Sequence, residues 1–453
     1  MSNDFIDLYL ENKAALKGPE QGFPTDLREE AIEAFQKTGF PDQKNEQYRY
    51  TRVDKLFDPS YSMQLSPSNI SLNIRDLFTC DVPNLETHLE IVLNGFYFNQ
   101  GQELKKHPQG IITGSLAKAL KTCPDIVKPY FSRLADHRTD SLVALNTAFA
   151  MDGLFIYIPK GTDLDNPLQV VHLPMTGLDT LLQYRNLIIM EEDTHAEIII
   201  CDHTLSPFRF LTNSVTEVYA GPNAKLQYVR VQNEHLNSNL ITNLYIHQEA
   251  GSKVTTNSIT LHGGVTRNNT YVRLNAPGCD SQTYGLFFAD KSQHVDNYVR
   301  VEHAQPDCSS SQLFKGILDD EATGAFNGHI LVRPAGQKTN AYQVSRNILL
   351  SDQAKMNTKP QLEIYADDVR CSHGATTGQL DENALFYMRS RGIPYREARL
   401  LMLYAFAHEV IEKISVKPLK ERINHLVDKR LRGELSRCNN CSMNCSEITP
   451  PGK

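Results

Sequence analysis

Tryptophan is absent from this 453-residue chain, and the chain is poor in long apolar runs and in excess positive charge. No apolar segment approaches the roughly 20 residues that a membrane-spanning helix needs. Acidic residues outnumber basic ones by 53 to 46, whereas nucleic-acid binding requires a dense basic footprint. The phosphate-binding pattern GxxxxGK[ST] does not occur. These absences argue against a membrane protein, a nucleic-acid binder and a P-loop ATPase.

Cysteine is also sparse, with nine residues in all, six of which lie far apart in the chain. An odd number of scattered cysteines is typical of reduced thiols and not of a disulfide framework. The opening "MSNDFIDLYLENK" has neither the cationic flank nor the apolar core of a targeting peptide. A composition of 40% hydrophobic and 22% charged residues is that of a globular protein. We therefore predict a cytoplasmic, globular protein.

The character of the sequence changes several times along the chain. Near the start, "TDLREEAIEAFQKTGF" has helical spacing, with Asp26 as a possible cap and Gly39 at the end. The changes predict four regions: a helical and mixed region at 1–90, a β core at 91–380 with a helical insertion near 114–136, a helical domain at 381–435, and a cysteine-containing tail at 436–453.

The β core consists of short runs rich in Val, Ile, Thr, Tyr and Phe, separated by polar corners. The corners "DTHA", "GPNA", "AGSK" and "PGCD" recur every 27 to 30 residues, and later corners fall 14 to 17 apart. No helical pattern intervenes, which excludes a βαβ sheet. A sandwich and a solenoid remain. Hairpin signals are scarce, mainly "LNG" at 93–95 and "FNG" at 326–328, so the regular spacing favours a solenoid of stacked coils.

The region after Leu380 reads as amphipathic helices. In "REARLLMLYAFAHEVIEKI", Leu400, Leu403 and Tyr404 belong to a wide apolar sector, and Pro418 ends this helix or opens the next. A terminal helix that is apolar on much of its circumference packs on two surfaces at once. We expect one surface to be its own domain and the other a partner.

The stretch "YADDVRCSHGATTG" at 365–378 is the main candidate site. In a strand, Cys371 and His373 point to the same side as Val369, which suggests that this side faces the interior. One interpretation is a buried cysteine beside a hydrogen-bonded core histidine. The other is a thiolate and an imidazole suited to holding iron or sulfur, with the imidazolium lowering the thiol pKa. Two ligands do not close a site, so a partner chain would complete it.

The tail "CNNCSMNC" places Cys438, Cys441 and Cys445 in a C-x2-C-x3-C pattern. This spacing can wrap a zinc ion or an iron–sulfur cluster. Three ligands are one short of a closed tetrahedral site, and His425 is the nearest candidate for a fourth. A dispensable polar tail is the alternative, because chain ends often carry no defined structure.

Several segments resemble the SufD members of the SufB/SufD family of the SUF iron–sulfur cluster assembly system. "TNAYQ", "KPQLEIYADDVRCSHGAT" and "FYMRSRGI" occur in family order within residues 328–406, and "FPDQKNEQYRYT" resembles the family's N-terminal segment. Tyr48 stands there in place of a typical tryptophan, which weakens that packing landmark. The resemblance covers most of the chain and is weak between about 60 and 150.

The resemblance implies a right-handed parallel β-helix with small helical regions at both ends. It also implies a non-catalytic scaffold that pairs with a SufB-like subunit, or with itself when isolated, and recruits a SufC-like ATPase through its terminal helices. Cys371 and His373 would lie at the SufB-like interface, where an iron–sulfur cluster is held transiently and shared. Whether a flavin binds is left undecided. The predicted ATPase contacts are Arg391, Gly392, Ile393, Pro394, Leu400, Leu403 and Tyr404.

Two other classes of protein share solenoid sequences. Carbohydrate-active β-helix enzymes are mostly secreted and bind sugars along grooves lined with carboxylates and aromatics, so the lack of a signal peptide and of tryptophan argues against them. Structural, adhesin-like solenoids are disfavoured by the free cysteines and the amphipathic C-terminal helices. The scaffold is therefore the preferred hypothesis.

Overall fold

The computed structural model describes residues 2–16, 22–68, 85–99, 103–204 and 206–434. Its centre is a β-solenoid in which successive strands alternate between two sheets. Sheet 1 contains, in spatial order, β20-β18-β16-β14-β12-β10-β8-β6-β5-β4, with β1 beside β8. Sheet 2 contains β21-β19-β17-β15-β13-β11-β9-β7-β2-β3. The mainly β solenoid with helical ends confirms the predicted fold class.

The strands that build the coils pair in parallel with one another from β6 onward. They pair with residues 26 positions away (Leu240 with Thr266) to 32 positions away (Thr323 with Lys355), which is the length of one coil. Their bounds are β6 Leu154–Ile158, β7 Leu168–Leu173, β8 Thr180–Met190, β9 His195–Asp202, β10 Phe210–Ala220, β11 Lys225–Asn233, β12 Ser238–Gln248, β13 Lys253–His262, β14 Val265–Leu274, β15 Asp280–Ala289, β16 His294–His303, β17 Ser309–Leu318, β18 Thr323–Val332, β19 Thr339–Leu349, β20 Lys355–Ile364 and β21 Val369–Gly378.

The interior between the sheets is apolar because β-branched and aliphatic side chains of each coil stack on the equivalents of the next. Ile198 and Ile200 of β9 face Ile188 and Met190 of β8, and Leu226 of β11 continues the same core. Both faces of the central strands are covered, and all 11 positions of β8 are buried. The interior of the coils from β6 to β18 thus forms one large apolar cluster.

The first strands close the solenoid differently, by antiparallel pairing. β2 (His88–Leu93) turns into β3 (Phe96–Phe98) through Asn94 and Gly95, which both have positive φ. This is the backbone that an Asn-Gly hairpin turn requires, so the hairpin prediction at 93–95 is confirmed. The similar signal at 326–328 was misleading, because Asn327 and Gly328 lie inside β18. The other strands at this end are β1 Ser62–Met63, β4 Leu104–Lys106 and β5 Ile112–Ser115.

N-terminal helices cover the outer face of sheet 1. These are α1 (Ser2–Glu11), α2 (Lys13–Leu16), α3 (Thr25–Thr38) and α6 (Ser141–Phe149), and their apolar side chains pack on Leu181, Leu211 and Ile241. Arg28 of α3 donates to the carbonyl oxygens of Ala148 and Ala150 at the end of α6, at 2.8 and 2.6 Å. Asp26 lies in the first turn of α3 and is not its cap; Pro24 occupies the cap position, and Gly39 ends the helix as predicted.

The segment after α3 contains Tyr48, which stands where the resemblance leads us to expect a tryptophan. Its ring is buried and lies 4.7 Å from the guanidinium of Arg267, and that guanidinium also donates to the carbonyl oxygen of Gln47 at 2.7 Å. A cation over an aromatic face is favourable, and more so when both are desolvated. Tyr48 therefore packs as a buried aromatic residue at this position.

The predicted helical insertion contains α4 (Leu116–Thr122) and α5 (Pro124–Val127), separated at Cys123 and Pro124 as expected for a proline in the interior of a helix. Buried Glu217 of β10 accepts backbone N–H bonds from Ser132, Leu134 and Ala135 at 2.8 to 3.1 Å and also bonds Arg185. The carboxylate therefore fixes the end of the insertion to sheet 1.

Three helices follow the last coil: α7 (Glu382–Ser390), α8 (Tyr395–Ile411) and α9 (Lys417–Arg432). Pro418 opens α9. The inner sides of α8 and α9 pack on apolar residues of the outer face of sheet 2, including Val229, Ile259 and Leu286. Within the described residues, no helix combines the length and apolar character that crossing a bilayer demands.

Candidate functional site

The last coil, β20 and β21, forms what we call the open end of the solenoid. Each strand is the outermost of its sheet, pairing with β18 and β19 respectively among the described residues. β20 is half-buried along most of its length, and seven consecutive positions of β21, from Ser372 to Gly378, are exposed. A long, flat edge strand leaves backbone N–H and C=O groups available for another strand. A strand from another chain could therefore pair with the open end and continue the sheets.

Cys371 and His373 lie on β21 at this end. The half-buried Cys371 packs with Val369 and Leu362 against the last apolar cluster of the interior, above Ala341 in register. His373 follows on the same side of the strand but is exposed, because no further coil covers it. The expectation of an interior-facing side holds for Cys371, whereas the interpretation of His373 as a buried core histidine is wrong.

Gln343 of β19 lies directly beneath His373 in register. Its side chain is buried, and its Nε2 donates to the carbonyl oxygen of Gly328 at 3.3 Å. Within the described part of the chain its Oε1 has no hydrogen-bond partner. Gln343 ends the "TNAYQ" segment, and sequence reasoning did not assign it a role. Gln343 is therefore the polar residue that the strand register places next to His373.

The electrostatic surroundings of Cys371 differ from those that the sequence suggested. Partial burial raises the pKa of the Cys371 thiol, and the backbone N–H of Ala341 offsets only part of this effect. The predicted lowering of the pKa by a neighbouring imidazolium is not found in the isolated chain. In the isolated chain the thiol is therefore predominantly protonated near neutral pH.

Metal-ligand geometry is incomplete at the open end. Nowhere in the described ranges do three His, Cys, Asp or Glu side chains converge in a way that would hold a metal ion. Cys371 and His373 alone supply one soft and one borderline ligand, so a tight site needs groups from another chain. The predicted tail ligands Cys438, Cys441 and Cys445 lie outside the described residues.

The helices after the open end carry the predicted ATPase contacts. Leu400 and Leu403 of α8 are 9% and 3% exposed, and Leu403 packs into the core shared with sheet 2. Leu403 therefore lies on the inner face of α8, Leu400 is buried at the wall of a surface groove, and the docking assignment of both stays a prediction. Arg391, Gly392 and Pro394 are exposed, and Ile393 and Tyr404 are half-buried.

Four large apolar side chains on α7 and α8, which we call the helical surface, face solvent instead. Phe386, Tyr387, Tyr395 and Leu401 are 73%, 58%, 50% and 50% exposed. Sequence reasoning did not single out these four residues. The "FYMRS" segment held the signal, since two consecutive aromatic residues at 386 and 387 cannot both point inward from a short helix.

A groove between α8 and α9 adjoins Leu401. Its volume is about 350 Å³. Tyr404 lines it beside Leu401, so this predicted contact does reach a surface. The remaining lining residues are Glu397, Leu400, Asn424, His425, Asp428 and Arg432. The groove combines an apolar floor with charged walls of both signs.

An ionic contact joins α8 to the coils next to the open end. Lys315 of β17 is buried, pairs with Glu409 of α8 and donates to the carbonyl oxygen of Phe406 at 2.9 Å. Arg346 of β19 reaches the same carboxylate at 3.3 Å. β19 is the direct neighbour of β21, so the helical region is linked to the strand that carries Cys371.

Comparison with known proteins identifies the family to which this chain belongs. The family model described as "SUF system FeS cluster assembly, SufBD core domain" matches residues 174–406, just over half of the chain. The model "SufBD protein N-terminal region" matches residues 1–170. The chain belongs to the SufBD family. The core match extends from β8 to the middle of α8, so the open end of this SufBD chain lies within it.

Curated relatives span nearly the same length as this SufBD chain. An iron–sulfur cluster assembly SufBD family protein of Synechocystis is 27% identical over 430 residues, covering 93% of this chain and 94% of its own. The iron–sulfur cluster assembly protein SufD of Escherichia coli is 28% identical over 408 residues, covering 89% and 92%. SufD of Bacillus subtilis is 27% identical over 348 residues, covering 74% and 77%. These similarities support the predicted resemblance to SufD over most of the chain.

Proposed function

We propose that this chain is a non-catalytic scaffold of iron–sulfur cluster assembly that pairs at its open end with a SufB-like subunit. The observation that carries the proposal is the exposure of β21, which presents Cys371 and His373 on an edge strand. A related solenoid placed end to end would continue both sheets and cover the apolar residues left half-buried in the last coil. An isolated chain would satisfy the same edges by pairing with a second copy.

At such an interface the two side chains have distinct tasks. His373 offers a neutral imidazole nitrogen to iron, and Cys371 offers a soft sulfur ligand once its proton is lost. The partner supplies the ligands that the open end lacks, so the cluster is cargo shared between two chains during assembly. Covering the coil also removes water, which strengthens each ligand–metal contact.

The helical surface is the part of the chain that binds a SufC-like ATPase in this proposal. Phe386, Tyr387, Tyr395 and Leu401 supply exposed apolar area of the kind that anchors protein interfaces, and the loop Arg391–Pro394 lies between their helices. The ionic contact of Glu409 with Lys315 and Arg346 gives a physical route from these helices to β19. Movement of the ATPase would reach the open end through that route.

Pairing at the open end is tested by a charge placed on β21. Gly374 has no atom within 4 Å of the position a Cβ would take, so Gly374→Lys fits the free chain. In a paired complex the same lysine would be desolvated without a partner, at a cost of about 3 kcal/mol or more. We expect at least a ~100-fold weaker affinity for a co-expressed SufB-like subunit, measured by titration.

Gly177→Lys is the matched control, because Gly177 also has open space around it and lies in the corner before β8, far along the solenoid. This variant should bind the partner as the unmodified chain does. Equal binding by the Gly374 variant, with both variants folded by circular dichroism, would show that the open end is not the pairing surface. The other two hypotheses, a carbohydrate-active enzyme and an adhesin-like solenoid, have no support from the family assignment.

A further inference from the structure

Two buried cysteines occupy equivalent places in consecutive coils, away from the open end. Cys279 ends the corner before β15, and Cys308 ends the corner before β17, 29 residues later. Each is 1% exposed and belongs to the core between the sheets. The sequence could not place them against each other, because their approach depends on which coil stacks on which.

The two thiols lie close to each other. Both also approach one carbonyl oxygen, that of Ala276, at 3.0 Å from the Sγ of Cys279 and 3.3 Å from the Sγ of Cys308. The backbones are joined as well, since the N–H of Ser309 donates to the carbonyl oxygen of Cys279 at 2.9 Å. The sulfur atoms are therefore held together by the coil geometry.

The backbone spacing also suits a covalent bond. Adjacent strands lie about 4.8 Å apart, and disulfides join residues whose Cα atoms are about 4.4–6.8 Å apart. Asp280 and Ser309, which follow the two cysteines, are paired in register. A Cys279–Cys308 bond would therefore need a rotation of side chains and little displacement of the coils.

We propose that Cys279 and Cys308 are a redox-active dithiol that forms a reversible disulfide between adjacent coils when the protein meets a two-electron oxidant such as hydrogen peroxide. This inference does not depend on the proposed function. The thiols remain reduced under ordinary reducing conditions, and the bond forms during oxidative exposure.

The chemistry balances as two coupled steps. The thiolate of Cys279 attacks one peroxide oxygen, the O–O bond breaks, and Cys279 becomes a sulfenic acid while the departing hydroxide takes a proton to become water. Cys308, as its thiolate, then attacks the sulfenic sulfur. The S–O bond breaks, a second water leaves, and the S–S bond forms. Two thiols and one peroxide give one disulfide and two waters, and a dithiol reductant restores both thiols.

The local environment favours Cys279 as the first nucleophile. The hydrogen bond from the Cys308 thiol lowers the pKa of Cys279 to about 7, with help from the hydroxyl of Ser252, and the same coupling raises the pKa of Cys308. Access is short, because each cysteine directly follows an exposed corner residue, Gly278 in one coil and Asp307 in the other. A small oxidant needs only local opening of a corner to reach the sulfur.

The test uses the full-length protein, reduced, desalted and then exposed to hydrogen peroxide. Mass spectrometry of a digest without reductant should show the Cys279 and Cys308 peptides joined and two hydrogens lighter, and dithiothreitol should separate them. If denaturation and alkylation instead label both cysteines after the other thiols have been oxidised, or if each joins a different cysteine, the proposal is wrong.

A second measurement compares thermal unfolding before and after oxidation. Oxidation should raise the melting temperature of the unmodified protein, because a cross-link constrains the unfolded chain. Cys308→Ser should lose this increase, whereas Cys123→Ser, which alters a half-buried thiol in the helical insertion, should retain it. An equal increase in Cys308→Ser would show that another bond stabilises the protein. If Cys308→Ser does not fold, peptide mapping of the unmodified protein decides.

Discussion

β18 and β21 are both ten-residue strands of the same solenoid, but they differ in what lies on either side of them. In β18 (TGAFNGHILV) eight positions are buried, because coils stack on both of its edges. In β21 (VRCSHGATTG) none is buried, and only Val369 and Cys371 are half-buried. The interior strand carries Phe326, Ile330 and Leu331, and the edge strand carries Gly, Ala, Thr and Ser. The difference separates a strand that supplies core from one that supplies a surface.

This contrast indicates how the last coil limits the free-energy cost of exposing apolar side chains to water, a cost that covered interior coils do not incur. A large apolar residue on β21 would stay exposed whenever the chain is alone, so small and polar residues keep the edge tolerable in water. β20 solves the same problem with Pro360, which removes one N–H from the edge of sheet 1. The last coil is thus adapted both to exposure and to being covered.

The largest effect is expected from substituting His373, because this residue of the edge strand is the proposed iron ligand. Because the side chain is exposed, His373→Ala and His373→Gln should change the free energy of unfolding by less than about 1 kcal/mol. Both should nevertheless abolish cluster formation in the anaerobically purified complex, since a neutral amide is a poor ligand for iron. Absorbance of the assembled cluster is the measurement. Cys371→Ser should give a milder loss if the partner carries the sulfur.

His195→Gln is the matched control, because His195 is also exposed but lies on β9 in a covered coil. Its cluster absorbance should match that of the unmodified protein. Near-normal absorbance in His373→Gln would mean that the imidazole has no ligand role.

A smaller effect is expected from charging the helical surface. Leu401→Glu places a carboxylate where we propose that the ATPase docks, which should weaken binding of a SufC-like ATPase by about 10- to 100-fold, or roughly 1.4–2.8 kcal/mol. Size-exclusion chromatography with light scattering would follow the complex, while pairing at the open end should persist. Leu178→Glu alters an equally exposed leucine on a distant corner and should have no effect. Retained ATPase binding in Leu401→Glu and also in Phe386→Glu would place docking elsewhere.

The third prediction concerns His303, a buried histidine of an interior coil, in contrast to the exposed His373 on the edge strand. Burial lowers the pKa of His303 to about 4, and its ring nitrogens form hydrogen bonds with the hydroxyls of Ser310 and Thr339. Because the folded pKa lies below the unfolded value near 6.5, the unfolded chain takes up the proton first as pH falls. This residue alone should lower the free energy of unfolding by about 3 kcal/mol between pH 6.5 and 4.

Denaturant unfolding at several pH values would show this decrease in the free energy of unfolding as a slope against pH. His303→Gln should flatten that slope over the same pH interval. A slope that is the same in His303→Gln and in the unmodified protein would assign the acid sensitivity to other groups.

The repetitive part of the fold could be predicted because its signals are local. Corner residues recur once per coil, and the strands between them are rich in β-branched side chains, so the coil length appears directly in the sequence. The misleading "FNG" signal shows the limit of local rules: Asn327 and Gly328 match a hairpin turn, but stacking on β16 and β20 holds them in a strand. Tertiary pairing overrides a turn preference when both edges of the segment are occupied.

By itself, the sequence determined the class of the fold, the helical ends and the position of Cys371 and His373 on one side of a strand, since each depends on spacing along the chain. Only the tertiary structure decided that His373 is exposed, that Leu403 points inward, and that Cys279 meets Cys308. Burial and the approach of residues about 30 positions apart depend on which coil stacks on which. That stacking is a property of the assembled solenoid and not of any one of its segments.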